Sequence, residues 1–514
     1  MLMAIAILVK RELTRSEVFS FFCIALGLYV YPLIDANYLY IDDIWRTQLA
    51  EGGGWAGEGR VLIQLMYNVV GFNASTPNVF PLPLMVSVVV MACALNRLVH
   101  AYFKEPTLSA CLVVLPVWYN PFFLQNLSYQ YDGAAMALSL AVMIYAITCR
   151  FDELWKKLLY SASMIACGLA FYQPSINFFI VLCCAEVVKN VSAKRTFVWI
   201  FKIMGQRLLA LCVAALLYYL CVALFLEDRR AALLEFDVDM ILHVSNRLVD
   251  SLVGFNDYFP QGIKWLALVL IGIAFAEYIR LGKAIFESGE GCAWKTSLFV
   301  VYLLTVPVSV FFILGPVLFF KEFTMGFRVM LGLPGVVVLV FFLSHKMLVG
   351  IRWWAGFLQV LPLMYSLSVS YAYGRVLTYQ KELEISVLTQ LAYDIEHSEL
   401  RGLKRLNVIS AAHSALPPAA EGLYRSMPII RDLFEGSTLL SEMLLVVGVD
   451  NAFTNGDVMT ELLVKEGRFT PFVETTFYNL YKIDGVGYVL FNDVSRLPLD
   501  NRVRCLRSWF APPC

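Results

Sequence analysis

The feature that most restricts this chain is a succession of apolar runs, each close to the length of one bilayer crossing. A spanning helix needs roughly 20 predominantly apolar residues. Such runs lie near 17–34, 79–99, 107–121, 133–149, 157–171, 174–188, 207–226, 263–280, 297–319, 327–345 and 353–372. Only 16% of the 514 residues are charged, where soluble domains carry about 25%. Mean hydropathy is +0.68. The expected fold class is therefore mostly α: a polytopic transmembrane helical protein of about eleven spans. Formal net charge is zero, and no Lys/Arg cluster points to a nucleic-acid partner.

Residues 1–10, MLMAIAILVK, lack a basic n-region and a small-residue cleavage site. They read as an amphipathic start on the membrane surface, not a cleaved signal peptide. Most of the 12 cysteines lie inside apolar runs, where they act as small hydrophobes. No CxxC occurs and no Cys/His spacing suits zinc. Cys505 and Cys514 sit in a polar tail, where they could pair as a disulfide.

The stretch GLAFYQPSIN interrupts one long apolar run at Gln173 and Pro174. Proline removes a donor and disfavours helix at the residue before it, so the reading is a turn at one membrane face. The alternative is one kinked helix, which would invert everything downstream. Positive charge decides for the turn. With the N-terminus inside, Lys10, Arg11, Arg15, Lys104, Arg150, Lys156, Lys189, Lys194, Arg195, Arg280, Lys283 and Lys346 all fall in inside loops. Residues 35–78 and everything after 373 then lie outside. The tail carries an amphipathic helical pattern (YQKELEISVLTQLAYDIEHSELRG), strand-like runs (LNVIS, EMLLVVGV, GYVLFND) and an IDG turn. It is expected to form a small α/β or α+β domain outside the membrane.

The external loops carry the chemistry. In residues 38–49, Asp42 and Asp43 precede Arg46 at helical spacing, with Ile41, Ile44, Trp45 and Leu49 on one side. That pattern suits a short helix in the interface, with Trp45 at headgroup depth. A plain surface helix whose acids pair with Arg46 is the blander reading. The glycine-rich loop that follows ends in Glu58 and Arg60. Tyr129, Tyr131 and Asp132 open the fourth span; Tyr172 and Gln173 reach the same side; Lys321 and Glu322 precede the tenth and Arg328 opens it; Tyr371, Tyr373 and Arg375 lie where the last emerges. The tyrosines at 371 and 373 suit an aromatic belt, and Asp132 also suits a helix N-terminal acid. Charges such as Asp132 and Arg328 at the mouth of an apolar helix are otherwise costly without a partner. Together the set offers arginines for phosphate, aromatic faces for sugar and a carboxylate for a proton. It suits transfer of a sugar from a lipid phosphate.

The motifs YIDDIWR, GGGWAGEGR, SYQYDGAAMALS, AFYQPSIN and YAYGRVLTYQ, in this order over about residues 15 to 390, resemble the phage-type, serotype-converting O-antigen glucosyltransferases, polytopic enzymes similar to the GT-C superfamily. The resemblance implies a transmembrane glycosyltransferase domain over 1–375, with a catalytic first external loop at 35–78, and a periplasmic domain over 376–514. It implies a bacterial inner-membrane enzyme with its active site in the periplasm, an undecaprenyl-phosphate glucose donor supplied by a partner synthase and flippase, and an O-antigen polysaccharide acceptor. Asp42 or Asp43 would be the acidic catalytic residue. Arg60, Arg328 and Arg46 would hold the donor phosphate. Glu58, Tyr129, Tyr131, Asp132, Gln173, Lys321, Tyr371 and Arg375 would line the substrates. Gly133 stands where the family suggests serine. Two adjacent acids do not by themselves make a closed metal site, so neither a divalent metal nor another cofactor is required. The rival class is a lipid-linked sugar transporter or flippase, which would place its site near the midplane, often with internal repeats.

Overall fold

In the computed structural model, the described residues are 11–49, 53–226, 232–235, 237–287, 291–323, 326–410, 417–434, 440–454 and 456–492. The amphipathic start at 1–10 and the pair Cys505/Cys514 lie outside them. The chain divides into two compact units. One comprises Met1–Ile34, Leu49–Tyr371 and Met427–Ile429; the other comprises Asp35–Gln48, Ala372–Ser426 and Ile430–Cys514.

The first unit is helical, and seven helices among the described residues are long and apolar enough to cross a membrane. Helices such as Phe197–Cys221 and Gln261–Phe286 expose Leu208, Leu216, Ile271 and Phe275. Apolar side chains in such numbers on the outside of a helix require lipid as solvent. Pro174 separates the helices Leu154–Phe171 and Ser175–Ser192. Lys157, at the start of the first, lies within electrostatic range of Glu186, near the end of the second. The break is thus a turn between antiparallel helices, as the proline implied.

Several expected spans differ. The run at 107–121 is not one straight helix. It forms a short helix Leu108–Val114, a 3-10 turn Leu115–Val117 and a break at Asn120–Pro121, and a second helix, Phe123–Ser128, follows in the stretch expected to connect two spans. Residues 108–136 are almost all buried apart from Leu108, a setting in which non-helical backbone is tolerated at membrane depth. The ninth run ends as a helix at Phe311, and the tenth begins only at Leu333. The last run starts as a 3-10 segment, Trp353–Gln359, and continues as one 37-residue helix, Val360–Glu396, well past the expected exit at 372. An amphipathic helix, Val238–Tyr258, exposes Ile241, Leu242, Val249 and Val253; no span or element was expected there.

The second unit holds a five-stranded mixed sheet ordered β2 (Ala452–Phe453), β1 (Leu406–Ile409), β5 (Val486–Phe491), β4 (Tyr478–Ile483), β3 (Val473–Glu474). β1 pairs in parallel with β2 and β5, while β4 pairs antiparallel with β5 and β3. The IDG turn joins β4 to β5 through Asp484 (φ 49°) and Gly485 (φ 78°), the left-handed pair that a two-residue hairpin needs. EMLLVVGV is not a strand: it forms the helix Leu440–Met443 and a 3-10 turn Leu444–Val447. Leu388, Leu391, Leu406, Val408, Leu444, Leu480 and Val489 form the core.

Within this unit Glu384 is buried, accepting from Tyr38 Oη (3.0 Å) and Gln380 Nε2 (2.6 Å), while its Oε2 accepts no hydrogen bond among the described residues. Burial pushes its carboxyl up from 4.5 to about 7. A raised acid binds its proton more tightly in the folded state, so this stability is full below 4.5 and is lost as pH rises toward 7. Glu384→Gln is expected to raise the thermal midpoint at pH 8, removing on the order of 3 kcal/mol of ionisation penalty. At pH 5 it should change little. Melting curves of both proteins at the two pH values check this.

Candidate active site

In the membrane unit, the glycine-rich loop folds inward because its backbone turns on itself. Glu58 N and Arg60 N both donate to Trp55 O, at 3.1 and 2.9 Å. This buries Trp55 completely and stacks it on Tyr67, with ring centroids 5.2 Å apart and planes 8° apart. Trp55 Nε1 donates to Asp132 Oδ1 at 2.8 Å. Gly59 sits at φ 76°, and a Cβ there would meet Tyr218 Oη at 2.5 Å. Tyr218 Oη donates to Gly59 O (3.1 Å) and Gln173 Nε2 to Glu58 O (2.8 Å). No side chain fits at position 59.

Arg60 Nη1 lies 3.2 Å from Glu58 Oε2 and 3.4 Å from Asp132 Oδ1, and its guanidinium lies over the Tyr172 ring, 5.0 Å from the centroid. Two carboxylates already offset its charge. Arg328 is held differently. Its backbone N donates to Gln125 Oε1 (2.7 Å), and its carbonyl accepts from Asn126 Nδ2 (3.0 Å) and Tyr172 Oη (3.2 Å). Its Nη1 donates to Tyr129 Oη at 2.7 Å, yet the residue is exposed. Tyr172 thus links the two arginines, its ring under one and its hydroxyl on the other's carbonyl.

The structure brings Glu58, Arg60, Tyr129, Asp132, Gln173 and Arg328 into one connected cluster. Four of the expected substrate residues have surroundings of their own. Tyr131 and Asp132 are each 1% exposed. Tyr131 Oη donates to Thr76 O (3.2 Å), and its ring packs with Trp55 and Tyr67. Tyr371 is exposed and lies beside Tyr31, with centroids 6.4 Å apart, as a membrane-belt aromatic would. Lys321 is joined to Ala232 and Arg247 through its backbone, with its side chain exposed. Gly133 has a physical reason: a Cβ there would lie 2.8 Å from the Asn126 carbonyl oxygen, so a serine would displace backbone. Trp55, Tyr218, Gln125 and Asn126 were missed. The signals were present: a lone tryptophan among glycines, and amides inside an apolar run.

The acid pair and Arg375 belong to the other unit. The interface helix expected at 41–49 is only the four-residue turn Asp43–Arg46. Ile44 packs into the core of its own unit with Leu391 and Leu444 rather than facing lipid. Asp43 is fully buried, and its Oδ2 accepts from Tyr40 N at 3.0 Å. Asp42 is partly exposed, accepting from Trp45 Nε1 at 3.3 Å, with Arg46 Nη2 at 3.7 Å. Arg46 is buried and lies over the Trp45 ring, 4.5 Å from its centroid. Ile41 holds φ 47°, a strained conformation for a β-branched residue. Arg375 is exposed.

The sequence profile of the glucosyl transferase GtrII family matches residues 31–339, which is more than half of the chain. The chain belongs to that family. It is therefore a membrane glycosyltransferase, acting on a sugar donor and an acceptor. The profile match takes in both Asp42/Asp43 and the arginine cluster. The chain is also similar to a Salmonella phage P22 protein described as an uncharacterized 55.3 kDa protein in the gtrB 5' region, 24% identical over 428 residues, covering 80% of this chain and 86% of that protein. No solved structure matches this chain.

Proposed function

We propose that this glycosyltransferase moves a glucosyl residue from undecaprenyl-phosphate glucose to O-antigen repeat units on the periplasmic side of the bacterial inner membrane, by one inverting displacement. The observation that carries this reading is the family match across residues 31–339. Asp43 takes the proton of the acceptor hydroxyl. The freed oxygen forms a bond to the anomeric carbon as the bond from that carbon to the lipid phosphate breaks, and undecaprenyl phosphate leaves with the electron pair. The leaving group needs charge stabilisation more than a proton, and a fixed guanidinium provides it.

Arg328 fits that role best: it is exposed, with its backbone fixed by Gln125, Asn126 and Tyr172. Arg60, already offset by Glu58 and Asp132, orients the Tyr172 ring. The strained Ile41 beside the acid pair supports a functional role for that turn, since such strain collects at active sites.

The test is reconstitution in liposomes with labelled undecaprenyl-phosphate glucose and O-antigen acceptor. Glucosylated product and free undecaprenyl phosphate are expected in equal amounts. Arg328→Ala should raise the donor KM about tenfold or more. Movement of the donor across the bilayer without release of polyprenyl phosphate would instead identify a flippase.

A further inference from the structure

A cavity of about 270 Å³ in the membrane unit is lined by Arg15, Asn96, Arg97, His100 and Arg150. Three elements supply them. Arg15 opens the helix Arg15–Ala36, Asn96 to His100 fill the last turns of Leu82–Tyr102, and Arg150 follows Gly133–Ile147. Asp132 caps the beginning of that last helix and Thr148 its end. Arg97 Nη2 donates to Thr148 O at 3.1 Å, so the cavity lies at the far end of this helix from the Trp55–Asp132–Arg60 cluster and belongs to the opposite membrane face.

The lining contains no carboxylate. Among the described residues, Arg15, Arg97 and Arg150 form no ion pair. Arg97 Nε is buried without an acceptor, and Asn96 Oδ1 is buried without a donor, although Asn96 Nδ2 donates to Arg15 O at 3.0 Å. His100 Nδ1 lies 2.7 Å from Asn96 O. A carbonyl only accepts, so that nitrogen carries a proton and the imidazole is oriented. Burial and then the neighbouring Arg15 and Arg97 hold the Arg150 guanidinium below its usual range. Scattered cations near a membrane surface are ordinary. Here they converge on a concave space and repel one another.

We propose that this cavity binds a phosphate group, held by the guanidinium groups of Arg15, Arg97 and Arg150. Guanidinium matches phosphate bidentately, and each charge-assisted bond is about twice as strong as a neutral one. The phosphate can come from the headgroup of an anionic phospholipid in the adjoining leaflet or from a phosphate-bearing solute. Exposed Phe151, Leu154 and Trp155 lie next to Arg150 in the chain, an apolar flank that suits a lipid.

The test uses the full chain. Nanodiscs of phosphatidylcholine, with and without phosphatidylglycerol, are compared by thermal midpoint and by native mass spectrometry of retained lipid. A second arm titrates inorganic phosphate into detergent-solubilised protein. Arg15→Gln with Arg150→Gln is the probe, because both residues are exposed and Arg97, which caps a helix, is left intact. Lys194→Gln with Lys295→Gln, cations outside the cavity, is the control. Phosphatidylglycerol retention that falls about tenfold in the probe but not in the control establishes the site with a lipid source. Stabilisation by inorganic phosphate with the same dependence establishes it with a soluble source. Equal behaviour of probe and control in both arms overturns the proposal.

Discussion

Asp43→Asn is expected to lower glucosyl transfer by about 10²–10⁴, the range of general-base assistance, while Asp42→Asn should cost less than about tenfold. The difference follows from burial. Asp43 is shielded from water, with one oxygen fixed by Tyr40 N. An asparagine oxygen can accept that same hydrogen bond, so the turn should survive while the proton acceptor is lost. Asp42 is partly exposed and pairs with Arg46 at 3.7 Å, where ion pairs contribute little. Initial rates of glucose incorporation, with thermal midpoints to show that each variant is folded, decide the matter. A folded Asp43→Asn protein with wild-type turnover would reduce Asp43 to a structural cap.

Asp132→Ala carries the second large effect. It removes the acceptor of Trp55 Nε1 and one of two carboxylates beside Arg60. Taking one partner from a buried pair costs about 3–5 kcal/mol. The thermal midpoint should fall, and kcat/KM for the donor should drop by about a hundredfold as the Trp55 loop loosens. Asp132→Asn keeps an acceptor for Trp55 and loses only the charge, so it should lie between. Equal effects of the two substitutions would show that charge, not the hydrogen bond, is what matters. An unchanged donor KM in both would separate this aspartate from the donor site.

How legible these features were depended on what surrounds each segment. Apolar content marks residues 107–121 as buried in something other than water, and that much is correct. It does not distinguish lipid from protein, so Asn120 and Pro121 passed as the end of a span when they break the helix, and Gln125 and Asn126, between two expected spans, passed as a connection when they hold Arg328. The same ambiguity misplaced Ile44: helical spacing of apolar residues suits a lipid surface and a protein core equally. EMLLVVGV has β-branched content, but packing overrides strand propensity, and Gly448 at φ 85° ends the turn. Pro174 and Asp484–Gly485 were readable because their constraint is local. The contacts of Trp55 with Asp132, 77 residues apart, were not, because no local rule connects them.

The helix Gly133–Ile147 has 15 residues. At 1.5 Å per residue it is about 22 Å long, whereas the hydrocarbon layer is about 30 Å thick. Whatever its tilt, its two ends cannot both reach the headgroups of an undeformed bilayer. Either Asp132 is recessed, and under the proposed mechanism a lipid phosphate must sink to meet the arginines, or the lipid thins locally around this enzyme. In both cases acyl-chain length becomes a variable of the proposed reaction, and a thicker membrane is expected to slow the enzyme without altering any of its residues.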